Sequence, residues 1–303
     1  MNDLNTKAIA QLAELVRSQQ ASPVEVVQAH LDRIEQINPA LNAIVTLAPN
    51  LLDQASEAES AVMRGGKLGL LHGVPITIKD TIETAGLRTT SGSMMRADFV
   101  PTRDAQAVAR LKAAGAIILG KTNAAEMAMD YTADNPVFGR TNNPHNPLFT
   151  PGGSSGGEAA AIAAGMSVGG LGTDLAGSIR IPSHFCGVAG LKPTVGRVPG
   201  DGQFPPSAGP YSLGAVIGPM ARNAGDLKLL FSALAGIELH GDGEIRSDGC
   251  ASCFDSFQQR THTFGDRPSV FVASLVEQWR KELAEQESVR RVNLHSAKTG
   301  LLC

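Results

Sequence analysis

Between Gly152 and Gly177 the chain places nine glycines in 26 residues. The spacing is neither a collagen period nor an internal repeat. Glycine is the residue for tight turns and for backbones that approach closely, so this density demands both. Inside the stretch, Ala159 to Ala164 reads as a buried helix and Val168 to Thr173 as a short strand. The glycines therefore bracket a loop–helix–strand–loop unit. Ser154 and Ser155 lie in its first loop, and Ser178 follows the second.

The flanking sequence supplies the rest of an α/β layer. Ser22-Pro23-Val24-Glu25 is a capping box with proline at the first helical position. Val27, Leu31 and Ile34 continue it at helical spacing, and the first 38 residues read as two amphipathic helices. Gly73 to Asp80 alternates β-branched residues and predicts a strand delivering Lys79 at its end. Residues 103–114 predict a helix closed by Gly115, and Ala116 to Leu119 a buried strand. Near residue 236 the character changes. The expected division is a domain over 1–236 and a divergent tail over 237–303, with an amphipathic helix over 272–291.

With 43% hydrophobic and 18% charged residues, the 303-residue chain buries a sizeable core, which excludes a disordered chain or a disulfide-stapled miniprotein. A net charge of −3 gives no global field for nucleic acid or an anionic membrane. The N-terminus has no basic segment followed by an apolar one, and no apolar run reaches about 18 residues, so neither a signal peptide nor a membrane span is expected. Cys186, Cys250, Cys253 and Cys303 form no secreted disulfide framework, and a cytoplasmic protein is expected. Cys186 reads as a packed thiol. Cys250 and Cys253 form a CxxC pair with no second pair, so no metal site is expected.

Three serine and lysine signals compete. Gly115 to Thr122 fits GxxxxGK[ST], but a phosphate loop needs a preceding strand and a curled interior. Here a helix precedes and strand formers fill the middle, so helix–strand packing is the better reading. Gly153 to Gly157 fits GxSxG, but the three prolines at 144, 147 and 151 exclude the strand a nucleophile elbow requires. The third reading joins Lys79, the serine loop and Ser178, which opens a helical turn where N–H groups can meet a developing oxyanion. A buried lysine whose pKa falls below about 10.4 is the base such a serine needs.

The residues from Gly152 to Thr194 closely resemble the amidase signature family. Gly73 to Asp80 resembles its lysine segment, and Lys121 to Asn123 and Asn142 to Pro144 are similar too. The likeness runs from about residue 22 to about 235. It implies a mixed, twisted central sheet flanked by helices, and hydrolysis of a carboxylic amide without metal or cofactor. Carried over, the catalytic lysine falls on Lys79, the bridging serine, usually preceded by a cis peptide, on Ser154, and the acylated nucleophile on Ser178. The oxyanion hole falls on the N–H groups of Leu175, Ala176, Gly177 and Ser178. Asp174 and Arg180 are expected to fix the nucleophile loop. Met129 and Tyr131 are candidates for an acyl pocket or for core packing, and Ser155 for a site hydrogen bond or for loop capping.

The family often shows two glycines before the nucleophile, where this chain has Ala176-Gly177. Family enzymes are also considerably longer, and a shortened or frame-shifted product is one expectation. The expected partner is a small-molecule amide, and self-association stays open. Two rivals remain: the glutaminase subunit of the glutamyl-tRNA(Gln) amidotransferase, with the same triad, and a non-catalytic remnant. Glu158 and Leu175-Ala176 are more similar to stand-alone amidases.

Overall fold

The computed structural model describes residues 3–206, 209 and 213–236, with the backbone of 238–239 and 245–246. These belong to a compact unit spanning Met1–Asp248. The helix expected over 272–291, the remaining tail and its three cysteines lie outside the described residues.

The two N-terminal helices form as expected, over Ile9–Arg17 (α1) and Pro23–Leu41 (α2). Ser22 Oγ accepts from Glu25 N at 3.0 Å, and Glu25 Oε2 accepts from Ser22 N at 2.9 Å, which closes the capping box. Ile44–Leu47 (β1), Leu51–Met63 (α3), Pro75–Lys79 (β2), Gln106–Ala113 (α4) and Ile117–Thr122 (β3) follow. The glycine-rich unit then gives Gly156–Ala163 (α5) and Gly169–Asp174 (β4). Arg180–Cys186 (α6), Ala189–Gly190 (β5), Val216–Ala221 (β6) and Ala224–Ala235 (α7) complete the layers. A short ribbon pairs Glu238–Leu239 (β7) with Ile245–Arg246 (β8).

Six strands form one mixed sheet in the order β1-β3-β2-β4-β6-β5. The central three, β3, β2 and β4, are parallel, while β1, β6 and β5 join antiparallel. The parallel trio brings Thr122, Lys79 and Asp174, each the last residue of its strand, to one edge of the sheet. In open α/β sheets, that edge is where ligands bind.

Strand alternation sorts the core onto two faces. Ile76, Ile78 and Ile118 join α1, α4 and α7 in one cluster. Ile117 and Leu119 join α2, α3 and α5 in another. Full burial of each such side chain contributes about 1.5–3 kcal/mol. Because Ile76 and Ile78 take the first face, Thr77 and Lys79 are turned to the face that α5 covers. Two glycines let α5 approach there. A Cβ at Gly170 would fall on the Thr77 carbonyl oxygen and Glu158 Oε1, and one at Gly172 would lie 2.8 Å from Ser155 Oγ.

Two details differ from expectation. β3 runs on to Thr122, because pairing with β2 outlasts the apolar run, and so Lys121 is a strand residue. α6 starts at Arg180, which leaves Ser178 in the loop before it.

Candidate active site

Lys79 ends β2 with no exposed surface. Its Nζ lies 2.6 Å from Ser154 Oγ and 2.8 Å from Thr173 Oγ1. Burial lowers its pKa from 10.5 to about 7, against the nearby charges of Asp174 and Glu158, which raise it. Burial thus favours the uncharged amine. Ser154 is also fully buried, and the Gly153–Ser154 peptide is cis.

Ser178 is reached through the loop that leaves β4. Asp174 organises that loop: Oδ1 accepts from Gly177 N at 2.9 Å, and Oδ2 accepts from Ile179 N at 3.1 Å and Arg180 N at 3.3 Å. Arg180 adds a two-pronged pair, Nε to Oδ2 and Nη2 to Oδ1, both at 3.0 Å. Burial opposes the Asp174 charge, but Arg180 and these N–H groups outweigh it and hold the carboxyl below its usual range. The Gly177 N–H is therefore already occupied. No hydrogen bond from the other described residues reaches the N–H of Leu175, Ala176 or Ser178. Across the loop, Ser155 N donates to Ser178 O at 3.1 Å. Ser155 Oγ lies 3.3 Å from both N and O of Thr173, so this serine braces β4.

Ser154, Thr173 and Ser178 line one cleft with Met129, Leu175 and Phe204. Lys79 and Ser154 are joined directly, whereas no hydrogen bond links the hydroxyls of Ser154 and Ser178. Met129 is 58% exposed at the rim, so it is not a core residue. Tyr131 is half exposed and outside the cleft lining, with its hydroxyl donating to Ala176 O at 3.4 Å. Sequence reasoning missed Met127, Ala128, Gln203 and Pro205, which also line the cleft. They lie in segments without periodicity, and tertiary packing alone brings them there.

It also missed the role of Glu158. Its carboxylate is wholly buried, accepting from Thr77 Oγ1 at 2.6 Å and Thr122 Oγ1 at 2.8 Å. Burial pushes its pKa from 4.5 up to about 7, against these bonds and the positive charges of Lys121 and Lys79. Lys121 is equally buried, and its Nζ is held by the Ile82 carbonyl and, at 3.0 Å, by Thr84 Oγ1. A lysine held this way cannot cradle a phosphate.

A mixed α/β sheet whose parallel edge holds a buried lysine against a serine defines the class. The Amidase family model matches residues 25–248, and the chain belongs to that family. It is similar to a glutamyl-tRNA(Gln) amidotransferase subunit of Thermus thermophilus, at 46% identity over 72% of this chain and 44% of the relative. Human fatty-acid amide hydrolase 2 is 42% identical over 75% of this chain and 44% of its own length. The native peptide amidase of Stenotrophomonas maltophilia superposes with a TM-score of 0.71 at 35% identity, over 86% of this chain and 51% of that one. The chain thus spans about half the length of the relatives it matches.

Proposed function

We propose that this chain hydrolyses a carboxylic amide through an acyl-enzyme, with Ser178 as nucleophile, Ser154 as relay and Lys79 as base. The observation that carries this reading is the fully buried Lys79 amine 2.6 Å from Ser154 Oγ, at the cleft that Ser178 lines. Neutral Lys79 takes the Ser154 proton as Ser154 takes that of Ser178. Ser178 Oγ attacks the amide carbonyl. The N–H groups of Leu175, Ala176 and Ser178 meet the oxyanion, each such donor contributing roughly 3 kcal/mol. The proton returns along the relay to the leaving amine, the C–N bond breaks, and water cleaves the ester by the same route. Substrate binding must bring the Ser178 hydroxyl onto Ser154, a tightening common when resting sites engage substrate.

The reading takes a small-molecule amide as substrate, with no cofactor, and includes a cytoplasmic location. No helix among the described residues is long and apolar enough to cross a membrane. A second reading, release of ammonia from glutamine within a glutamyl-tRNA amidotransferase, is favoured by the names of several relatives. Ammonia release from glutamine that requires tRNA and added partner chains would select it.

Labelling of the purified chain by a fluorophosphonate, with mass mapping of the modified serine, tests the assignment. Ser178→Ala is expected to abolish labelling, and Ser155→Ala to label at least in part. Full labelling of Ser178→Ala refutes the nucleophile. A wild-type chain that takes no label is the non-catalytic remnant.

A further inference from the structure

We propose that Thr173 is a positioning residue for the base: its hydroxyl accepts an N–H of the uncharged Lys79 amine and so turns the amine's lone pair onto Ser154. The inference deepens the proposed function and rests on it.

An uncharged amine carries two N–H groups and one lone pair, and only the lone pair takes a proton. Among the described residues, two side chains hydrogen-bond Lys79 Nζ: Ser154 Oγ at 2.6 Å and Thr173 Oγ1 at 2.8 Å. Both are hydroxyls, and each can donate or accept. The lone pair faces one of them at a time. Turned to Thr173, it offers Ser154 only an N–H, and the relay is idle. Two observations turn it to Ser154. Ser154 has no exposed surface, and among the described residues the amine is the one partner its hydroxyl hydrogen bonds. Buried donors are rarely left unpaired. Thr173 is 8% exposed on the cleft it lines, so its own hydrogen has an outlet there while its oxygen accepts from the amine. In the reaction the Ser154 O–H bond breaks, the proton joins the lone pair, and the Ser154 oxygen draws the proton of Ser178. The ammonium so formed keeps its N–H on Thr173, so neither partner has to move.

The hydroxyl is held where the amine needs it. β2 and β4 run parallel with Ile78 opposite Leu171, which brings the ends of the two strands together. On its other side Thr173 pairs with Ile217 of β6, and the Ser155 hydroxyl braces its backbone. A β-branched side chain is also stiff at χ1, so the acceptor loses little freedom in meeting the amine. The charged groups around the amine are Asp174 at the end of β4 and Glu158 on α5. Lys121 on β3 acts on Glu158, and on Asp80, which follows Lys79 in the chain. Substitution at Thr173 leaves all four in place, so a change in pH profile reports the hydroxyl.

The test is the pH profile of fluorophosphonate labelling, with mass mapping of the labelled serine, in the wild-type chain, Thr173→Val and Thr173→Ser. Valine keeps the shape and removes the hydroxyl, whereas serine keeps the hydroxyl and removes a methyl. Thr173→Val is expected to lower the high-pH plateau about tenfold, the effect of one buried hydrogen bond. Its rising limb is expected to move to lower pH, because the ammonium loses an acceptor. The plateau thus falls although the amine gives up its proton more readily. Thr173→Ser is expected to recover the plateau to within about threefold and to restore the limb. A packing role alone gives the opposite order, with valine milder than serine and the limb in place. Where Thr173→Val does not fold, Thr173→Ala removes the hydroxyl instead, and the same lowered plateau and limb are expected. A plateau within about threefold of wild type without the hydroxyl, a limb that does not move down, or a serine variant no faster than the valine one overturns the role of Thr173 and leaves the nucleophile standing. Absence of label from the wild-type chain, or label on another serine, overturns the nucleophile assignment and the inference with it.

Discussion

Gly177 N donates to Asp174 Oδ1 at 2.9 Å, and the same carboxylate takes the Arg180 guanidinium from the far side of the loop. The turn that carries Ser178 is closed on itself by one buried side chain. Asp174→Asn keeps one acceptor and sets a donor against N–H groups. Stability is expected to fall by about 1–3 kcal/mol, the cost of leaving buried N–H groups without an acceptor. Fluorophosphonate labelling is expected to slow at least tenfold, to the order of one buried charge-assisted bond. Labelling at the wild-type rate would show that the ring does not hold the nucleophile.

The base sets a pH dependence. Lys79 is protonated below a pKa of about 7, so the labelling rate is expected to rise with pH through that value. Ionised Glu158 raises the Lys79 pKa. Glu158→Gln removes that charge with little change of shape, so the rising limb is expected to move to lower pH. A limb that stays in place or moves up contradicts the coupling. Measurement of the labelling rate constant across pH in both proteins decides it.

Lys79 also opposes folding. Its pKa is 10.5 when the side chain is free in water and about 7 when folded, so between these values the unfolded chain binds more protons. Stability from this group therefore rises with pH across that window. Lys79→Met is expected to take no label, to gain about 1–3 kcal/mol near neutrality, and to show a flatter rise in Tm with pH. A destabilised Lys79→Met chain would mean that the bonds to Ser154 and Thr173 outweigh the buried amine.

Gly170→Ala tests why β4 is so rich in glycine. The added methyl meets the Thr77 carbonyl and the Glu158 carboxylate, one of them backbone, so neither can swing away freely. Expected destabilisation is about 3 kcal/mol or more, the upper range for overpacking. Urea unfolding of the purified variant measures it, and a loss within about 0.5 kcal/mol, the range of a neutral substitution, speaks against the close approach.

Much of this arrangement is legible in the chain. The Ser22 capping box, the strand that ends at Lys79 and the helix–strand unit among the glycines each follow from local rules of cap, alternation and composition. The direct contact of Lys79 with Ser154 joins residues 75 positions apart, and there the resemblance to a family, not any local pattern, brings them together. Glu158 reads only as a residue after a glycine loop, because its burial depends on Thr77 and Thr122 from two other strands. Gln203 and Phe204 are invisible for a similar reason: pairing with Thr81 to Glu83 places them, and no periodicity records a pairing so distant. Lys121 fits a phosphate-loop pattern in sequence, and the length of β3 gives it its actual place as a strand residue.

The carboxyl of Glu158, fed by hydroxyls from β2 and β3, has an evolutionary consequence. Positions 77, 122 and 158 are bound into one epistatic unit: replacing Glu158 by leucine alone strands the Thr122 hydroxyl and leaves that of Thr77 with Ser167 Oγ alone, and replacing either threonine by valine alone strands a carboxyl oxygen. Only a concerted exchange, valine at both threonines with leucine at the acid, removes both bonds without leaving an orphan, so drift toward an apolar network by single steps is opposed.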